Sequence, residues 1–170
     1  MKTVVLSIFL ALAGCATDIP RPIQSAPAVN IPLALALKEP DPQRGAAVRW
    51  GGVIATVENR RDESWIEIVD QPLTKGGYPR ESDKSIGRFL ARVQGFVDPV
   101  VFAAQRRVTV TGTLDGVTER NIGEHPYRYP LVRVEHLYLW PPQPKATEYY
   151  PIPYDPWYPW GYPHRHRHPR

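Results

Sequence analysis

Proline fixes φ and removes a backbone donor, so regular structure cannot run far where prolines crowd. The chain has 20 prolines in 170 residues, more than twice the usual share of ~5%. Their placement divides the sequence. Six lie between Ile19 and Pro42, and nine lie between Pro141 and Arg170. Only five, Pro72, Pro79, Pro99, Pro126 and Pro130, interrupt the stretch from Arg44 to Trp140. The expected organisation is a tether over 15–43, one folded domain over 44–140 and a disordered tail over 141–170. Within the tether, Ile31 to Leu37 is apolar enough to rest on the domain or form one helical turn.

The first residues read as an export signal. Met1-Lys2-Thr3 precedes an apolar run from Val4 to Ala13, then Gly14-Cys15. One cation, roughly ten apolar residues and a small-residue exit make the layout of a secretory signal peptide over 1–14. A helix needs about 20 apolar residues to cross a bilayer, so a spanning segment is the poorer reading. Leu12-Ala13-Gly14-Cys15 resembles the lipobox of bacterial lipoproteins. That resemblance implies a diacylglyceryl thioether on Cys15, cleavage just before it and acylation of the new N-terminus. Cys15 is the only cysteine, which fits a lipidated thiol better than a disulfide framework. The competing reading is an ordinary signal peptide whose apolar run ends near a cysteine. In lipoproteins of this type, an Asp after the cysteine signals inner-membrane retention. Ala16 stands there, which implies the outer membrane; the expected placement is lipid-anchored, on the periplasmic face.

Five β-prone runs fill the middle: Ala47 to Val57, Trp65 to Val69, Arg88 to Gln94, Arg107 to Leu114 and Leu131 to Leu139. Arg88 to Gln94 and Arg107 to Leu114 alternate well between apolar and polar. In the first run the apolar parity moves from Val48 and Trp50 to Val53 and Val57, which predicts a bulge at Gly51-Gly52. In the last run it moves from Val132 and Val134 to Leu137 and Leu139, a second slip. Asp70 to Ser85 is polar and contains Gly76-Gly77, so it reads as an exposed loop. Asp98-Pro99 reads as the N-cap and first position of a short helix between the third and fourth strands. The predicted fold is all-β in the main: a small five-stranded OB-like barrel with one short helix.

The ordered set Arg49-Trp50-Gly51-Gly52-Val53-Ile54, Glu67-Ile68, Gln71-Pro72-Leu73, Gly95-Phe96-Val97-Asp98-Pro99 with Phe102, Gly112, Ile122-Gly123 and Pro126-Tyr127 resembles the Slp family of starvation-inducible outer-membrane lipoproteins. The resemblance covers about 44–140 plus the lipobox. It implies an envelope protein associated with starvation or acid stress, and it assigns no catalytic residue. The central motif reads as structural. Gly95 turns the backbone out of a strand, Phe96 and Phe102 plug a barrel end, and Asp98 caps the helix with Pro99 at its start.

Chemistry is sparse. The mature chain offers Ser25, Ser64, Ser82 and Ser85, none in a Gly-flanked elbow, and His125 and His136 in the folded region. No catalytic residue, cofactor site or metal site is expected, and a hydrolase is a remote alternative. The net charge of +4 suits anionic surfaces but falls short of a dedicated nucleic-acid binder. The principal expectation is therefore a non-enzymatic envelope lipoprotein with a structural or interaction role, held to the membrane by its lipid. A glycan- or lipopolysaccharide-binding module is the alternative. Trp50, Trp65, Tyr78 and Tyr127 would supply its stacking surfaces, with Arg60, Arg61 and Arg80 nearby. In the tail, prolines alternate with aromatics from Tyr149 to Pro163, a pattern suited to a membrane interface or a partner's groove. His164, His166 and His168 follow, interleaved with arginines that repel a metal cation.

Overall fold

The computed structural model describes residues 19–82 and 84–143. Two short helices, α1 (Arg21–Gln24) and α2 (Leu33–Lys38), and a 3-10 turn at Asp41–Gln43 precede five strands. These are β1 (Ala47–Asn59), β2 (Glu63–Asp70), β3 (Arg88–Gln94), β4 (Arg107–Ile122) and β5 (His125–Leu139). They close into a barrel in the order β1-β2-β3-β5-β4. Neighbours run antiparallel except β3 and β5, which run parallel. The main-β class and the OB-like order predicted above are what the chain adopts.

The strand residues sort by alternation. In β2, Ser64, Ile66, Ile68 and Asp70 turn inward. Together with Val48, Trp50, Ile54, Phe89, Ala91, Val108, Val110, Leu114 and Val132 they leave little interior space, and Trp50 meets Phe89 edge-on at 5.3 Å. Leu33 and Ala36 of α2 join this core, as do Val97 and partly buried Phe102.

Closure depends on β1. Its first half pairs with β4 and its second half with β2, and the two pairings overlap at Gly52 and Val53. Gly52 stands opposite both Asp70 and Val108. A Cβ there would collide with the Val69 carbonyl oxygen, and one on Gly51 would stand 2.6 Å from the Val108 oxygen. The two glycines permit close backbone approach rather than a bulge. The expected bulge at Gly51-Gly52 is therefore corrected. Inward parity runs on from Val48 through Trp50 to Ile54, and the register shifts between Ile54 and Thr56. The slip expected in β5 is present, at the shift between Thr111 and Gly112 that skips Glu135.

The helix expected between β3 and β4 does not form. Asp98 Oδ1 accepts the Val100 N–H at 2.8 Å and Asp98 O accepts the Phe102 N–H at 2.9 Å, giving a single turn. β-Branched Val100 and Val101 favour helix poorly. From Gln105, at φ 69°, the chain is captured by β1: Gln105 N donates to Ile54 O and Ile54 N to Arg106 O, both at 2.9 Å.

Two layers cover the barrel outside. β4 and β5 continue past Leu114 as a hairpin, after a second register shift between Leu114 and Val117. It lies over the outer face of β2 and β3, where Leu90, Tyr129 and Leu131 pack with Trp65, Ile122 and Tyr127. On the other side, the segment from Ile19 lies against β1. Arg49 Nη1 donates to Ile23 O (3.0 Å), Gln24 O (2.8 Å) and Lys75 O (3.2 Å), and Trp50 Nε1 donates to Ile31 O (2.7 Å). Ile23 is fully buried there.

Replacing Gly52 by alanine should destabilise the protein by about 3 kcal/mol, the upper range for forcing an atom into a packed site. Urea unfolding of the Gly52→Ala variant measures this. A change under about 0.5 kcal/mol would show that the strands can part there at little cost.

Candidate functional site

Cys15 lies outside the described residues, as do the aromatic segment 149–163 and His164, His166 and His168. The central motif is described, and it forms a turn at one end of β2. Gly95, at φ +82°, donates its N–H to Asp62 O at 2.9 Å. Ser64 Oγ sits between Gly95 O (2.8 Å), Val97 N (2.9 Å) and Asn59 Oδ1 (2.5 Å), so this serine ties the turn to the barrel. Phe102 packs on the core as expected of a plug. Phe96 does not: it is 75% exposed, and Val97, 6% exposed, takes the inward place. Val97 keeps the inward parity of Phe89, Ala91 and Val93 in β3, which leaves Phe96 on the outer side.

The four aromatics weighed as stacking surfaces do not assemble. Trp50 is in the core. Trp65 lies beneath Arg60, whose guanidinium carbon is 3.7 Å from the ring centroid, and Arg120 ion-pairs with Glu58 beside it. Tyr127 accepts the Arg88 N–H at 2.9 Å, and Tyr129 donates to Glu67 Oε1 at 3.0 Å. Tyr78 packs edge-on against Trp140, at 5.1 Å, on the other side. OB barrels grip ligands on the β2–β3 face. Here that face is occupied by the chain's own hairpin. His125 is exposed at the hairpin, and His136 Nδ1 lies 3.3 Å from Thr111 Oγ1. Among the described residues no group of three metal-ligating side chains comes together.

A different site emerges at the barrel mouth, between α2 and the β2–β3 loop. Asn30, Leu33, Arg49, Trp50, Asp70 and Gln71 line part of a pocket of about 320 Å³. Asp70 is only 8% exposed, and its carboxylate has no hydrogen-bond partner among the described residues. Burial pushes its pKa up to about 6. Arg49, 9% exposed, has its pKa lowered by burial, and its Nε lacks a partner, as does Gln71 Oε1. Asn30 Oδ1 accepts the Arg49 backbone N–H at 2.7 Å, fixing the segment that roofs the pocket. Asp70, expected at the start of an exposed loop, instead ends β2 on its inward face. The signal that finds it is period-2 alternation, which puts it on the face of Ile66 and Ile68.

Among the described residues the chain is an all-β barrel of OB order, covered outside by its own β4–β5 hairpin and by the segment from Ile19. The family model described as "Outer membrane lipoprotein Slp family" matches residues 12–166. The uncharacterized lipoprotein YeaY of Escherichia coli is 34% identical over 168 residues, covering 90% of this chain and 81% of that protein. The outer membrane protein Slp of the same organism is 30% identical over 138 residues, covering 80% and 72%. An uncharacterized Haemophilus influenzae protein is 30% identical over 111 residues. No solved structure matches. The chain belongs to the Slp family of outer membrane lipoproteins.

Two measurements check the site. Phe96→Ser should leave stability within about 0.5 kcal/mol of wild type, whereas Val97→Ala should cost about 2 kcal/mol. Urea unfolding that ranks them the other way would return Phe96 to the core. The second concerns pH. Unfolded, Asp70 titrates near the ordinary ~3.9, and folded it titrates at about 6. Between those values the native state holds a proton that the unfolded state has released, so stability falls as pH rises through that window and then levels. The loss attributable to Asp70 is at most about 3 kcal/mol, at ~1.4 kcal/mol per pKa unit. Asp70→Asn should therefore gain up to that much over wild type at pH 7.5 and little at pH 4. Equal pH dependence in both proteins would contradict the buried-carboxylate account.

Proposed function

We propose that a diacylglyceryl thioether on Cys15 holds this barrel against the periplasmic face of the outer membrane. There it serves as a structural or interaction module of the envelope rather than a catalyst, with the starvation or stress association that the family resemblance implies. The supporting observation is how early the chain joins the fold. Gln24 Nε2 donates to Ile19 O at 2.6 Å, and Ile23 is fully buried against the barrel. Ile19 follows Cys15 by four residues. A fully extended chain spans at most ~3.6 Å per residue, so the folded body would begin within about 14 Å of the lipid. Multiple acyl chains on one cysteine make a lasting attachment, since each buried CH₂ contributes ~0.8 kcal/mol.

The alternative of a glycan- or lipopolysaccharide-binding module finds no open β2–β3 face, because Tyr127, Tyr129 and Leu131 lie on it. That reading would rest on the aromatic tail, and the module reading is the one adopted.

Labelling cells with radioactive palmitate tests the anchor. Wild type should incorporate label and fractionate with the outer membrane, and Cys15→Ser should do neither. Unlabelled wild type released as soluble periplasmic protein would defeat the proposal.

A further inference from the structure

Among the described residues the large exposed hydrophobics are Val29, Ile86, Phe96, Val100 and Val101. Val29 and Ile86 stand singly, which is ordinary on a protein surface. The other three fall within six residues of the β3–β4 loop, at 75%, 84% and 48% exposure. Pro99 between them is exposed as well. From Gly95 to Gln105 the only charged residue is Asp98, and its Oδ1 turns back to accept the Val100 N–H at 2.8 Å. Val97 and Phe102 pack on the core from the same loop. The loop is thus fastened by two side chains and presents its other apolar residues outward.

The surroundings of this tip indicate what covers it. Arg106 Nη1 donates to Val101 O at 3.2 Å and its Nη2 to Trp140 O at 3.1 Å, so one guanidinium joins the loop to the end of β5. The described chain ends three residues later, at Gln143. The sequence that follows carries five tyrosines and two tryptophans between Tyr149 and Tyr162. Tyrosine and tryptophan are favoured where a bilayer meets water. The N-terminal segment comes to the same place. Ile23 O lies against the Gly77 backbone, Gly77 O accepts the Thr109 hydroxyl at 2.6 Å, and that hydroxyl receives Trp140 Nε1 at 2.9 Å. Docked tether, tail exit and apolar tip therefore converge around Trp140. In an outer membrane lipoprotein the surface that all three can share is the bilayer.

We propose that the β3–β4 loop is a second membrane contact, in which Phe96, Val100 and Val101 enter the phospholipid leaflet beside the lipid anchor. The inference rests on the membrane placement proposed above and adds an orientation to it. Arg106 keeps its charge at headgroup level while the tip goes deeper, as long basic side chains do at such boundaries. The opposite end of the barrel then faces away. It is covered by α2, whose Leu37 packs at Gly87, at the far end of β3 from Gly95. Lys38 of that helix is 80% exposed.

The test places an environment-sensitive fluorophore on Val100→Cys in the full-length chain, reconstituted into vesicles of phosphatidylethanolamine and phosphatidylglycerol. Wild type treated alike is the blank for any label taken by Cys15. The emission at position 100 should shift to the blue on vesicles. Lipid spin-labelled high on its acyl chain should quench it about fivefold more than a probe on Lys38→Cys, as for a group ~5–10 Å inside the headgroup boundary. Adding Phe96→Asp should at least halve that quenching with the wild-type circular dichroism spectrum retained. Flotation of the vesicles reads the anchor separately. Protein that floats while the probe at position 100 reports water overturns the loop contact and leaves the thioether standing. A blue shift that spin-labelled lipid does not quench also overturns it, because the tip is then covered by protein, the tail or a second copy. Equal quenching at positions 38 and 100 does the same.

Discussion

At Gly52 the first strand meets partners on both edges at once, Asp70 of β2 and Val108 of β4. A five-stranded barrel closes only if one strand serves both halves of the sheet, and that strand must coil sharply where it passes between them. The absence of a side chain at Gly51 and Gly52 is what lets the Val69 and Val108 carbonyls come so near. From that approach follow the inward row Val48, Trp50 and Ile54, and with it the core on which α2 and the Val97 turn rest. The β-bulge comes only after the crossing, where β1 no longer has β4 beside it.

The barrel departs from a binding scaffold in how its outside is used. The long β4–β5 hairpin spends its aromatic residues on β2 and β3. Arg120 ion-pairs it to Glu58 of β1, and Tyr129 donates to Glu67 of β2, which also pairs with Arg88 of β3 at 2.6 Å. On the opposite side Thr109 Oγ1 bonds Gly77 O at 2.6 Å and receives Trp140 Nε1 at 2.9 Å, stitching the β2–β3 loop and the end of β5 to β4. One concavity stays open at the mouth beside α2, where Asp70 sits among Pro32, Leu33, Trp50 and Leu73.

The strand order and much of the core were legible because alternation is a strong signal in short half-buried strands. Arg88 to Gln94 is read to the residue. The hairpin beyond Leu114 was not legible. Asn121, Glu119 and Arg120 look like loop, and Pro126 and Pro130 argue against a strand, yet both prolines stand in β5 opposite Asn121 and Val117. Only the tertiary surface offered by Leu90 and Trp65 makes that stretch a strand. Asp98 signalled a cap correctly but not a helix, since a cap stabilises a first turn without supplying the next. The pocket escaped because a carboxylate at a strand end reads as solvent-facing. Nothing local announces that α2 will close over it.

The account rests on the segment from Ile19 to Gln43 being part of the folded body, with Arg49 holding its carbonyls and Leu33 closing the mouth. Amide hydrogen exchange followed residue by residue measures this directly. The N–H groups of Ile23 and Ala36, bonded to Pro20 O and Pro32 O, should exchange as slowly as those of β1, because both depend on the same cooperative unfolding. Exchange at the rate of an unstructured peptide, while β1 stays protected, would contradict it.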